Sequence, residues 1–136
     1  PQILVDISKI PDLRRIEDAG AAWRIGGGVT HAQIEDAQGR LPGGAMLCEV
    51  AAGIAYRAIR NRGTIGGSLA HADPAADWPL ALAALGARVE IHGPKGTRSI
   101  PADSMIVAAF TTPLADDEMI VAVEVRSLPT TSACSW

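Results

Sequence analysis

The chain of 136 residues is poor in aromatic residues (4%), has two cysteines and contains no run of five or more like charges. Each scarcity excludes something. Cys48 and Cys134 stand far apart, and neither belongs to a CxxC pair or to a zinc or iron–sulfur spacing, so the sequence offers no metal ligand set. Cys48 reads as a small buried hydrophobe. With a net charge of −3 and no basic tract, the chain has no global attraction for nucleic acid or an anionic membrane surface, and any phosphate must be bound locally. A secretory signal and an apolar run of about 18 residues are both missing, which gives the expectation of a soluble cytoplasmic protein without a membrane span. No Ser/His/Asp, Cys/His or paired-carboxylate arrangement singles out a nucleophile or proton donor.

What is present is a large apolar fraction, 48%, carried mostly by Ala, Ile, Leu and Val. That is enough for one compact body with a core of its own. Ile3 to Ile7 has the composition of a strand, followed by a turn or short helical segment through Leu13 to Ile16. Trp23 to Ile25 reads as a second strand running into Gly26-Gly27-Gly28, where the glycines serve either a tight connection or the close approach of a ligand. Thr30 with Gln33 forms a capping box for a helix that ends at Gly39, and His31 beside the cap reads as a surface residue. After a turn over Leu41 to Gly44, apolar residues recur at helical spacing from Leu47 to Ile59, which predicts one long helix over 45–59. Arg60 and Arg62 follow, either as cations at its negative end or as a basic entrance to an anion site. Asp77 is a candidate N-cap for a helix that Gly86 stops. Ala87 to His92 and Thr97 to Ile100 make a hairpin around Gly93-Pro94-Lys95-Gly96, and a turn with a short helical segment follows over 101–110. Met119 to Val125 is a strand apolar on both sides and therefore interior.

Between the two best helices lies the stretch Arg60 to Asp77. Gly63, Gly66 and Gly67 let the backbone turn tightly and bring amide N–H groups together, and Thr64 and Ser68 add hydroxyls, which suits a diphosphate. Asp73 and Asp77 suit the hydroxyls of a sugar. The pattern matches neither standard nucleotide fingerprint, and such a loop can also serve only to cross packed elements.

The run Arg60-Asn61-Arg62-Gly63-Thr64-Ile65-Gly66-Gly67-Ser68-Leu69-Ala70-His71-Ala72-Asp73-Pro74-Ala75-Ala76-Asp77 resembles the FAD-binding loop of the medium, flavoprotein subunit of molybdenum hydroxylases, the group of aerobic carbon monoxide dehydrogenase and xanthine dehydrogenase. Leu4-Val5-Asp6-Ile7, Ile25-Gly26, Thr30-His31 and Ile100-Pro101-Ala102-Asp103 resemble the same family in the same order. The resemblance implies an α+β fold, a mixed sheet flanked by helices, with an FAD-binding subdomain over 1–129 and a loose tail over 130–136. It also implies that Thr64, Ile65, Gly66 and Gly67 lie against the FAD diphosphate, that Asp77 accepts a hydrogen bond from the sugar-like portion of the flavin, and that Leu114 borders the flavin. The implied partners are a large subunit carrying the molybdenum cofactor and a small subunit carrying 2Fe-2S clusters, in a heterotrimer or its dimer. Electrons would pass from the clusters through FAD to an external acceptor. Family members also carry an upstream Ala-Gly-Gly type loop, which grips the diphosphate from the other side, and a C-terminal subdomain. Neither is matched within these 136 residues, so weak FAD binding by the chain alone is expected. The alternative is an assembly module that keeps the fold without the cofactor, and a generic nucleotide-binding protein is a third reading.

Overall fold

The computed structural model describes residues 3–37, 41 and 44–127. The expected helix stop at Gly39, Pro42 and Gly43 of the turn, Cys134 and the tail over 130–136 lie outside the described residues. Five strands, β1 (Ile16–Asp18), β2 (Ala22–Gly26), β3 (Arg88–Gly93), β4 (Gly96–Pro101) and β5 (Met119–Arg126), form one sheet in the order β1-β2-β5-β3-β4. Between β2 and β3 come α1 (His31–Glu35), α2 (Gly44–Gly53), α3 (Arg57–Arg60), α4 (Ile65–His71) and α5 (Asp77–Ala84).

The α+β class is as the resemblance implies, but the sheet is not mixed: all four strand pairings are antiparallel. The helical excursion from β2 to β3 would, between neighbours, create a parallel pair. Here β5 fills the gap, pairing Ile25 with Val123 on one side and Val89 with Val123 on the other, so β2 and β3 run the same way without pairing. The β3–β4 hairpin forms where expected, its reversal closed by Gly93 opposite Gly96, whose φ of +107° only glycine adopts without strain.

One face of the sheet carries Ile25, Val89, Ile91, Val123 and Val125, which pack with Leu47, Val50, Ile65, Leu69, Trp78 and Leu82 of the helices in a single apolar core. The other face is more polar, with Arg24 of β2 donating twice to Glu90 of β3 across the central strand. Thus β5 is interior within the sheet, as its composition predicts, though only one of its faces meets the helices.

Three elements differ from the sequence expectation. Ile3 to Ile7 is not a strand: no sheet edge reaches it, and Ile3, Leu4 and Val5 are strongly exposed. The helical segment expected nearby is a 3-10 turn over Pro11–Arg14, after which β1 begins. The long helix over 45–59 is broken in two, because Gly53 ends α2 and Ala55 takes a left-handed conformation with φ +42° before α3 restarts. An ion-pair cluster fixes the restart. Arg60 donates to Glu35 of α1 and to the carbonyls of Ile54 and Ala55, while Arg57 reaches Glu35 and Asp36. These arginines hold Glu35 and Asp36 below the usual carboxylate range, chiefly through the hydrogen bonds from Arg60 and Arg57 respectively. Thus α3 is pinned to α1, and the segment that follows it starts from a fixed point.

Candidate functional site

The glycine-rich stretch read as a loop contains a helix. Thr64 caps α4, its Oγ1 accepting from the amide of Gly67 at 3.0 Å, and Gly66 and Gly67 are helical despite their low propensity. Tertiary contact outweighs propensity here. Ile65 and Leu69 are fully buried, and Gly66 crosses the Gly27 backbone so closely that an added Cβ would stand 2.6 Å from the Gly27 carbonyl oxygen. The amides are therefore not a free nest. Ile65 N donates to Val29 O at 3.1 Å, Gly66 N to Gly27 O at 3.0 Å, and Gly67 N to the Thr64 hydroxyl. In return, the amide of His31 donates to Gly63 O at 3.0 Å, stitching the start of α1 to the start of α4.

This crossing forms the floor of a cleft of about 680 Å³, within the range that holds small cofactors. Gly27, Gly28, Gly66 and Gly67 line the floor, and Thr30 and Thr64 supply hydroxyls at its edge. Asn61 and Arg62 also line the cleft, as do the apolar Leu114, Met119 and Ile120. The segment Val5 to Ser8 and Arg14 complete the rim. Two carboxylates also reach it. Glu118 is neutralised by Arg98, whose Nε and Nη2 each donate at 2.7 Å, and the amide of Ala115 donates to it as well. These bonds, Arg98 first, hold its pKa down to about 2. Arg98 also donates to the Pro113 carbonyl, so the same pair fixes the backbone that carries Leu114. The exposed Asp6 accepts from the Ser8 amide, and its hydrogen bonds to Ser8 lower its pKa.

Of the residues singled out in the sequence, Thr64, Gly66, Gly67 and Leu114 come together around this cleft. Ile65 lies beneath the floor, fully buried and not lining it. Asp77 is half-buried and outside the cleft. It is the first residue of α5, with Ala76 rather than Asp77 at the N-cap position, because the helix begins one residue earlier than the expected capping geometry requires. The two arginines part company. Arg60 is consumed by Glu35 and two carbonyls, whereas Arg62 lines the cleft.

His31, read from the sequence as a surface residue, is 6% exposed and joins the pieces of the site. Its Nδ1 accepts from Trp78 Nε1 at 3.1 Å, which leaves the proton of the neutral ring on Nε2. Nε2 faces Gly63, where a Cβ would stand 2.7 Å away. Burial pushes the imidazole pKa below its ordinary value. One ring therefore touches the residue before Thr64 and the residue after Asp77. The signal for it was the Trp78 indole, whose N–H needs a partner once the ring is buried. Met119 and Ile120 had no such signal, since a strand end becomes a cleft wall only through the sheet order.

The donor set fits FAD. Bare backbone on the floor admits a flat or extended ligand, hydroxyls and a cation suit phosphates, and an apolar wall suits an aromatic ring system. Among the described residues there is no group of three metal-ligating side chains, and no helix is long and apolar enough to cross a membrane.

Residues 1–128 match the family described as the FAD binding domain in molybdopterin dehydrogenase. The chain is 42% identical over 129 residues to the nicotine 6-hydroxylase medium subunit of Paenarthrobacter nicotinovorans, covering 95% of this chain and 46% of that one. It is 38% identical over 128 residues to the carbon monoxide dehydrogenase medium chain of Hydrogenophaga pseudoflava, covering 92% and 44%. Among solved structures, quinoline 2-oxidoreductase from Pseudomonas putida 86 superposes with a TM-score of 0.87 at 35% identity, over 96% of this chain and 45% of that one. Carbon monoxide dehydrogenase from Hydrogenophaga pseudoflava gives 0.85 at 37% identity, over 92% and 44%. The chain thus spans less than half the length of these relatives.

Proposed function

Because this chain belongs to the family of FAD binding domains of molybdopterin dehydrogenases, we propose that its cleft holds FAD for the flavoprotein component of a molybdenum hydroxylase. The observation that carries the reading is the crossing of Gly66 over Gly27, which builds a side-chain-free floor between hydroxyls, a cation and an apolar wall. In this reading Thr64, Gly66 and Gly67 face the diphosphate, Ile65 anchors them from below, and Leu114 borders the flavin. Asp77, at the start of α5 and outside the cleft lining, would accept a hydrogen bond from the sugar-like portion, and the Trp78–His31 hydrogen bond fixes the neighbouring residue. FAD supplies the redox chemistry when bound, and the chain's residues bind, orient and shield it.

Electrons would reach this component from 2Fe-2S clusters on a small subunit, after substrate oxidation at a molybdenum cofactor on a large one, and leave to an external acceptor. A cytoplasmic heterotrimer or its dimer is the proposed setting, with residues 1–129 as the cofactor-binding unit. Titration of the isotopically labelled chain with FAD should shift the amide resonances of Gly66, Gly67, Ala70 and Leu114. Tighter binding of ATP or NAD than of FAD, or no shift at millimolar FAD, would overturn the reading.

A second reading, an assembly module that binds subunits without cofactor, draws on the exposed apolar run Ile3, Leu4 and Val5 beside the cleft rim. Capture of the iron–sulfur and molybdenum subunits that is indifferent to FAD, by a chain showing no FAD shifts, would favour it.

A further inference from the structure

We infer that Arg62 is the side chain that neutralises the diphosphate of the bound cofactor, a role that backbone amides alone cannot fill in this cleft. The inference rests on the FAD reading above and adds to it the source of the compensating charge.

A diphosphate taken from water must recover hydrogen bonds and countercharge. The usual supplier in a glycine-rich turn is a set of converging backbone N–H groups. Here most of the supply from the crossing is spent. Ile65 N and Gly66 N donate to Val29 O and Gly27 O, Gly67 N to the Thr64 hydroxyl, Gly27 N to Val121 O, and Gly28 N to Leu13 O. Freeing any of them would undo the crossing that makes the floor. The charge has to come from side chains.

Four ionisable residues line the cleft: Asp6, Arg14, Arg62 and Glu118. Glu118 is matched by Arg98. Arg14 is tied to the 5–8 segment of the rim, its guanidinium donating to the Ser8 carbonyl. The Arg62 amide donates to Ile59 O at 3.0 Å, while its side chain makes no hydrogen bond or ion pair with any described residue. It is exposed and lies two residues before Thr64, while its neighbours Arg57 and Arg60 are both committed to α1. Because Arg60 is locked to Glu35 and to the carbonyls of Ile54 and Ala55, the backbone at Arg62 is fixed although its side chain is unengaged. An unpaired guanidinium held at the edge of a donor-depleted floor is suited to bidentate contact with phosphate oxygens.

The test compares wild-type chain with Arg62→Gln and Arg62→Lys, using FAD, ADP, inorganic pyrophosphate and riboflavin as probes. Binding is followed by NMR, which reads the Arg62 side-chain Nε–H directly. In the wild type, FAD, ADP and pyrophosphate should each move that resonance and riboflavin should not. Arg62→Gln should weaken FAD and ADP by roughly tenfold or more and flatten their salt dependence, leaving riboflavin unchanged. Arg62→Lys should recover part of the loss, since it keeps the charge but not the fork. FAD affinity unchanged in Arg62→Gln, or riboflavin weakened as much as FAD, would overturn the inference. If ADP and pyrophosphate bind through Arg62 but no flavin does, the FAD reading falls while the role of Arg62 stands. A wild-type chain that takes up none of the four probes overturns both.

Discussion

Adjacent glycines in α4 should fail in opposite ways when each is changed to alanine. At Gly66 the new methyl would stand 2.6 Å from Gly27 O and 2.8 Å from Gly27 Cα, against ordinary contacts beginning near 3.4 Å. Both obstacles are backbone, so no side chain can rotate away. Relief requires α4 to withdraw from the Gly27 turn, which stretches or breaks Gly66 N to Gly27 O and Ile65 N to Val29 O. Two hydrogen bonds at about 1 kcal/mol each, with overpacking strain of about 3 kcal/mol and a helix-propensity gain of about 1 kcal/mol, give a net loss of roughly 4 kcal/mol. Against a usual stability of about 5–15 kcal/mol, Gly66→Ala should lower the melting temperature by roughly 10–20 °C. At Gly67 the same methyl meets only Thr64 Oγ1, at 2.9 Å, and otherwise enters the cleft. Turning the hydroxyl aside forfeits a cap of about 1 kcal/mol, which the propensity gain offsets at about 1 kcal/mol. Gly67→Ala should therefore melt within a few degrees of wild type, by roughly the precision of that cancellation, yet lose FAD binding about tenfold or more because the floor is raised. Differential scanning fluorimetry without ligand, followed by FAD titration of each variant, reads both quantities. A Gly66→Ala protein as stable as wild type, or a Gly67→Ala protein with undiminished FAD affinity, would refute the reasoning.

Further outcomes follow from the electrostatics. His31 has a folded-state pKa below the ordinary 6.5, so the unfolded chain takes up the proton first. Its contribution is complete above about 6.5 and declines as pH falls through the lower folded value; urea midpoints against pH should show that slope in wild type and lose it in His31→Gln. Glu118 is the opposite ionisation with the same direction of loss: its pKa is depressed from 4.5 to about 2, so its support is present above 4.5 and fades between those values as the solution is acidified. Glu118→Gln should release Arg98 from its ion pair and loosen the Leu114 backbone, seen as faster amide exchange over 113–118 at neutral pH. Arg60, whose side chain is 12% exposed, should cost roughly 2–3 kcal/mol when changed to alanine, since Glu35 and two carbonyls lose a charged donor. Arg57→Ala, in an exposed pair, should move the midpoint far less than Arg60→Ala in the same chemical denaturation experiment.

The elements legible in the sequence were those whose cause is local. The Thr30–Gln33 capping box forms with both reciprocal bonds, at 3.2 and 3.0 Å, because its partners lie within one turn. The β3–β4 hairpin follows from the Gly93–Gly96 reversal, and β5 from its apolar alternation. What was misread depends on partners distant in sequence. Gly66 and Gly67 read as loop because glycine is a poor helix former, and only the Gly27 backbone 39 positions earlier explains why nothing larger fits. His31 read as surface because Trp78, 47 residues on, was not known to stand over it. The residues of the cleft were found in part for the same reason: Thr64, Gly66 and Gly67 sit in one motif, whereas Met119 and Ile120 arrive by strand order alone. Ile3 to Ile7 has strand composition without a strand to join, and composition is silent about pairing.

The position of β5 bears on how the chain reaches its native state. The last strand among the described residues is the middle strand in space, flanked by β2 and β3. Until Met119–Arg126 has emerged from the ribosome, β1–β2 and β3–β4 are two separate hairpins with facing edges and nothing between them. Isolated two-stranded ribbons are marginal in water, and the helices meanwhile have only half a surface to pack on. Productive folding must then be a late, concerted event, slowed by the long loop that closing β2 onto β5 requires. During that wait two unprotected edges are open to mispairing with a neighbouring chain. Changes in β5 such as Val123→Thr should for that reason reduce soluble yield during synthesis more than they reduce the stability of protein already folded.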